Sequence, residues 1–86
     1  MYPYLAEFLG TFLLIGVIAF VGNPYAIGAA LTLAILLIGA VSGGHLNPAV
    51  SLWAYLSGKI TVETLLWYVA AQLAAAGAVF AVHKMA

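Results

Sequence analysis

Polar side chains, glycines and a proline crowd together at one place between the long hydrophobic runs of this chain: Ser42-Gly43-Gly44-His45-Leu46-Asn47-Pro48-Ala49-Val50. Their order describes a loop that turns into a helix. Asn47 is a preferred N-cap, and Pro48 suits the first helical position because its missing N–H would have been an orphan donor anyway. Gly43 and Gly44 allow tight backbone turns and leave carbonyls uncovered. The helix that follows has room for Ala49 to Leu56, about 13 Å of rise, against a bilayer core about 30 Å thick. Composition says that a bilayer is the surrounding medium. Of the 86 residues, 67% are hydrophobic and 5% charged, with a mean hydropathy of +1.23, whereas a soluble domain carries about 25% charged residues. The expected fold class is an all-α, multi-pass integral membrane protein. Loop and short helix read as a re-entrant segment that dips in and returns to the same side.

The remaining chain divides around that segment. Residues 4–21 form a first transmembrane span, broken by Gly22-Asn23-Pro24 as a tight turn. Residues 25–41 form a second, at the short end of the crossing range. The re-entrant loop and half-helix occupy 42–57, ended by Gly58 as a C-cap and by Lys59 at the negative helix end. Thr61 is a plausible N-cap for a last span over 62–82, with Glu63 in its first turn and His83 and Lys84 at the far interface. That makes three transmembrane helices plus one re-entrant half-helix in a single domain, 1–86. Tyr2, Tyr4, Trp53, Tyr55, Trp67 and Tyr68 gather near one membrane face and Tyr25 near the other, as interfacial aromatics do. Glycines and alanines punctuate every span and give flat faces for close helix packing.

Several function classes fall away. Without cysteine there is no disulfide and no thiolate metal site. No basic patch offers itself to nucleic acid. The first lysine is Lys59, so the basic region of a signal peptide is not expected. No nucleophile–base pair, phosphate loop or metal cluster is apparent, which argues against an enzyme, a cofactor or a bound metal. His45 has no second ligand near it in sequence and is better read as fixing the loop by hydrogen bonding. The four charged residues, Glu7, Glu63, Lys59 and Lys84, sum to zero. Lys59 and Lys84 fall on opposite sides, so the positive-charge bias that normally sets orientation is nearly nil.

Residues 42–48 hold backbone N–H and C=O groups at membrane depth without helical partners. Such backbone is tolerated only where protein buries it or water lines it. Three helices and a half-helix do not enclose it, and broken helices usually come as inverted pairs meeting at the midplane. A second copy in inverted orientation is the economical partner, and the even lysine distribution is what such a pair requires.

The stretch Ser42 to Val50 resembles the first signature loop of the aquaporin and glycerol-facilitator family. Ala6-Glu7-Phe8-Leu9-Gly10-Thr11 resembles that family's first-helix opening, and Ala71-Gln72-Leu73 its third-helix element. Order and spacing match the N-terminal half of family members over essentially the whole chain. The departures are a single Asn-Pro-Ala motif, where members hold two in inverted halves, and Val50, where the second motif is usually followed by arginine. The resemblance implies a half-length aquaporin: one repeat, completed by an inverted copy. Because family channels gather in fours, it further implies four such pairs, eight chains in all.

Each candidate residue takes a role on that basis. Asn47, with Pro48 and Ala49, would meet its inverted counterpart at the pore centre, its amide donating inward while its oxygen caps the half-helix. Two helix N-termini, each about half a positive charge, would raise a cation barrier there. Carbonyls of Gly43, Gly44 and His45 would line the approach as acceptors. By resemblance Glu7 would accept loop N–H groups and hold the carbonyls outward, and Gln72 could help. The alternative for Glu7, within a turn of its span's start, is snorkelling to the interface. Aligning to the family's narrowest point places Ile27 there, with Ile35 and Val50 of the other chain. This ring would be apolar, able to slow water by dewetting or to admit glycerol. The alternative is that all three face lipid or core. The function implied is a passive channel for water and small neutral solutes such as glycerol. Two rivals stay open: a half-channel that pairs with a different, arginine-bearing half, and a non-conducting membrane assembly protein.

Overall fold

The computed structural model describes residues 1–86 throughout. It is entirely helical: α1 (Pro3–Phe20), α2 (Pro24–Ser42), α3 (Pro48–Leu56) and α4 (Val62–Met85). Helices α1, α2 and α4 rise about 27, 28 and 36 Å and are apolar and long enough to cross a bilayer. Helix α3, of nine residues, is not. The protein is a multi-pass integral membrane protein.

Local sequence sets the helix ends. Proline opens α1, α2 and α3. The Asn23 side-chain oxygen accepts from the Ala26 N–H at 2.8 Å, the Asn47 oxygen from the Ala49 N–H at 2.7 Å, and the Thr61 hydroxyl from the Thr64 N–H at 3.1 Å. Ser57 caps α3, with Gly58 just beyond it in the left-handed region. Helix α4 runs three residues beyond the expected end at 82 and so carries His83 and Lys84 within its last turn.

Two aromatic pairs orient the helices. Tyr4 stacks on Trp67 and Phe20 meets His83 edge-on, so α1 and α4 run parallel. Glu7 and Gly10 of α1 approach Ser42 and Ile38 of α2 respectively, so α1 and α2 run antiparallel. Helix α4 therefore begins on the face where α1 begins and α2 ends. The segment between α2 and α4 leaves and returns to one side, and α3 with its preceding loop is re-entrant.

Buried residues fall on single stripes: Ala6, Glu7, Gly10 and Thr11 on α1, Ala30, Ala34, Ile38 and Ser42 on α2, and Tyr68, Gln72, Ala75 and Val79 on α4. Steps of three and four residues put each set on one helix face. Five of these twelve residues are alanine or glycine, and at those points the helices can approach closely, as they must in lipid where apolar burial gives little association energy. Tyr68 departs from the sequence-based expectation of an interfacial anchor. It shares the stripe of Gln72 and Ala75, which turns its ring inward, where it is 5% exposed and donates its hydroxyl to the Ser42 carbonyl at 2.8 Å. Most large apolar side chains outside the stripes face outward.

Candidate functional site

The loop between α2 and α3 is built around Glu7. This carboxylate is fully buried, so its position beside the interface does not make it a snorkelling residue. Four donors converge on it. The Ser42 hydroxyl and the His45 N–H reach Oε2 at 2.6 and 2.9 Å, and the Leu46 N–H and the Gln72 amide reach Oε1 at 2.7 and 3.1 Å. The Ser42 hydroxyl accepts in turn from the Gly44 N–H at 3.2 Å. An acidic side chain is tolerable at this depth because every lone-pair direction meets a donor.

The loop backbone is bent to supply those donors. Gly43, Gly44 and Leu46 lie at φ of 91, 64 and 60°. Glycine adopts this region without steric cost, whereas leucine does so at about 1–2 kcal/mol. Leu46 recovers that cost through its N–H bond to Glu7 and by burial with Ala6, Ala34 and Ile38. With the N–H groups of Gly44, His45 and Leu46 turned inward, the carbonyls of Gly43, Gly44 and His45 accept no hydrogen bond within the chain. Asn47, Pro48, Ala49 and Val50 follow as exposed residues. The Asn47 oxygen is engaged as a cap and its amide nitrogen has no partner in the chain.

A second polar layer supports the first. The fully buried Ser51 hydroxyl lies 2.9 Å from His45 Nδ1 and accepts from the Gln72 amide at 3.0 Å. The His45 ring sits edge-on to Tyr68, centroids 5.0 Å apart. Gln72 thus bridges the carboxylate and the serine. Its own Oε1, and Thr11 Oγ1 on α1, are the two buried oxygens left unpaired. No group of three metal-ligating side chains forms. The groove of about 300 Å³ between α1 and α4 is lined only by apolar residues, Tyr4, Phe8 and Trp67 among them.

Known proteins give the arrangement a family. The model of the major intrinsic protein family matches residues 2–85. The chain belongs to that family. Over 82 residues it is 40% identical to glycerol uptake facilitator protein-like 6 of Lactiplantibacillus plantarum, covering 85% of this chain and 38% of that protein. It is 46% identical over 59 residues to the aquaglyceroporin AqpS of Rhizobium meliloti, covering 69% and 25%. It is 42% identical over 83 residues to human aquaporin-9, covering 79% and 28%. The chain thus spans well under half the length of the curated relatives it matches. No solved structure matches it.

Within this major intrinsic protein chain the expected site residues do not all lie together. Glu7, Gly43, Gly44, His45 and Gln72 form one connected layer, and Asn47, Pro48 and Ala49 lead out of it. Ile35 lies against Gly44, where an added Cβ would come within 3.4 Å of its side chain. Ile27 is half-buried two turns earlier on α2. Val50 is exposed on α3. Sequence reasoning assigned no role to Ser42, Leu46 or Ser51. The spacing of Ser51, four residues after the cap and on the α3 face that meets α4, was the available signal for one of them.

Proposed function

We propose that the chain forms half of a passive transmembrane channel for water and small neutral solutes such as glycerol, completed by a second copy in inverted orientation. The observation that carries this reading is the sorting of polar groups in the loop. Its N–H groups are drawn to Glu7 and Ser42, while three successive carbonyls and the Asn47 amide stay free. A row of acceptors ending in a donor at a helix N-terminus suits a molecule that must exchange its hydration shell stepwise. The two half-helix N-termini of a pair, each about half a positive charge, would repel cations at their meeting point. The names of the relatives, a glycerol uptake facilitator and aquaporins, support the same solute class. The unpaired loop carbonyls call for a covering partner, or water held by one, at membrane depth. In the paired channel Ile27 of one chain would face Ile35 and Val50 of the other, an apolar neck at each mouth.

Osmotic shrinkage of proteoliposomes in stopped-flow light scattering tests the proposal. With sucrose outside, the wild-type chain shrinks vesicles faster than empty liposomes, and Asn47→Leu returns the rate to theirs. With glycerol outside, vesicles re-swell, and Ile27→Trp removes the re-swelling by filling the neck. Empty-liposome rates from a folded, oligomeric wild type would instead favour pairing with a different, arginine-bearing half or a non-conducting assembly role.

A further inference from the structure

The polar layer fixes the direction of every hydrogen bond in it, starting from Glu7. A carboxylate only accepts. The group of Gln72 that faces Glu7 at 3.1 Å must therefore be the amide nitrogen, since a flipped amide would set oxygen against oxygen. The same nitrogen is 3.0 Å from Ser51 Oγ and donates its second hydrogen there. Gln72 keeps this orientation although it leaves Oε1 without a partner. Ser51 Oγ, now an acceptor from Gln72, has one hydrogen to place, and its only remaining partner is His45 Nδ1 at 2.9 Å. Were Nδ1 to carry the proton, Ser51 would accept twice and its own hydrogen would be stranded in a fully buried site.

We infer that the Glu7–Gln72–Ser51 relay holds the His45 ring as the neutral Nε2–H tautomer, which makes His45 a second side-chain donor, beside the Asn47 amide, on a loop of carbonyl acceptors. Its Nε2 lies over Gly43, where an added Cβ would come within 3.1 Å of it, and makes no hydrogen bond within the chain. His45 is half-buried and no group of the chain accepts from this N–H, so it is left for a ligand. The ligand it suits is a neutral molecule with an oxygen lone pair, a water or a polyol hydroxyl. In that use the inference rests on the channel reading above. The tautomer itself does not. Ser51 and Gln72 act as positioning residues, setting which ring nitrogen donates.

Nitrogen-15 NMR of the full chain in nanodiscs, labelled at histidine, reads this directly. The chain has two histidines, and His83→Gln leaves the signals of His45 alone. The wild type at neutral pH is expected to give a protonated, pyrrole-type Nε2 and an unprotonated, pyridine-type Nδ1. In Ser51→Ala the Nδ1 resonance moves downfield, because that nitrogen loses its donor. A wild-type ring protonated on Nδ1, or a mixture of tautomers, overturns the inference, as does an Nδ1 resonance unmoved by Ser51→Ala. The wild-type spectrum decides the tautomer even if the variant does not fold. Water flux in liposomes is measured separately on the same wild-type preparation. Its absence would remove the channel reading and leave the tautomer assignment standing.

Discussion

Glu7 sets the conformation of the loop, and a single-atom change should show it. Glu7→Gln replaces one acceptor oxygen with an NH₂ group, so at least one of the loop N–H donors at 2.7–2.9 Å loses its partner. The Ser42 hydroxyl has an alternative acceptor in the Ile38 carbonyl at 3.4 Å, but the backbone donors have none. An orphaned buried donor costs about 1–3 kcal/mol, and the surviving bonds lose their charge assistance, so destabilisation of about 2–4 kcal/mol is expected. Equilibrium unfolding in mixed detergent micelles measures it. A loss under about 1 kcal/mol would mean that the strained Leu46 backbone is held by its side-chain packing rather than by Glu7. Asn47→Leu acts at the other end of the loop and differently. It removes the cap on α3, about 1 kcal/mol, and under the channel reading it also removes the central donor, so its effect on flux should far exceed its effect on stability.

The helices meet through small residues, and one glycine on α1 is the closest approach. A Cβ at Gly10 would come within 2.7 Å of the end methyls of both Ile38 and Leu46, while at Gly16, two turns on, it would meet nothing within 4 Å. Gly10→Val should therefore cost about 1–3 kcal/mol by overpacking the Ile38–Leu46 contact. Gly16→Ala, with a better helix former in open space, should be neutral or gain up to about 1 kcal/mol. The same unfolding measurement compares them, and equal effects would show that α1 is not seated against the loop through Gly10. This contact also marks where sequence reading reaches its limit. The caps Asn47 and Thr61 were legible because capping is decided by neighbours two or three residues away. The burial of Tyr68 was not, because its aromatic ring suits an interface as well as a core. Only the phase of the α4 stripe, set by packing on α1 and α3, decides between them. Leu46 was likewise illegible. An apolar residue in a polar loop gives no local sign of positive φ, and the reason for it, an acceptor on Glu7, lies 39 residues away.

At the scale of the whole molecule, charge and topology bear on how two copies would assemble. Helices α1 and α4 run parallel, so Lys59 lies on the face where α1 begins, and Lys84 lies across the membrane beside Phe20 and the α1–α2 turn. With one lysine per face and no arginine, the rule that places positive loops on the cytoplasmic side gives no preferred orientation. An inverted pair needs that indifference, because both orientations must be made in similar amounts. A C-terminal reporter is thus expected on both sides of the membrane. Tyr25, which is 88% exposed on the Lys84 face, lies away from the loop, and Tyr25→Arg should draw that face to the cytoplasm. If nine chains in ten then share one orientation, only about one chain in five finds an inverted partner, and water flux in native membrane vesicles should fall roughly fivefold. The loss should be reversed by co-expressing a copy biased the opposite way by an added arginine beside Lys59. A Tyr25→Arg chain held in one orientation that keeps full flux would sink the inverted pair. It would assign the covering of the loop to a different half, one whose orientation is fixed independently of this chain.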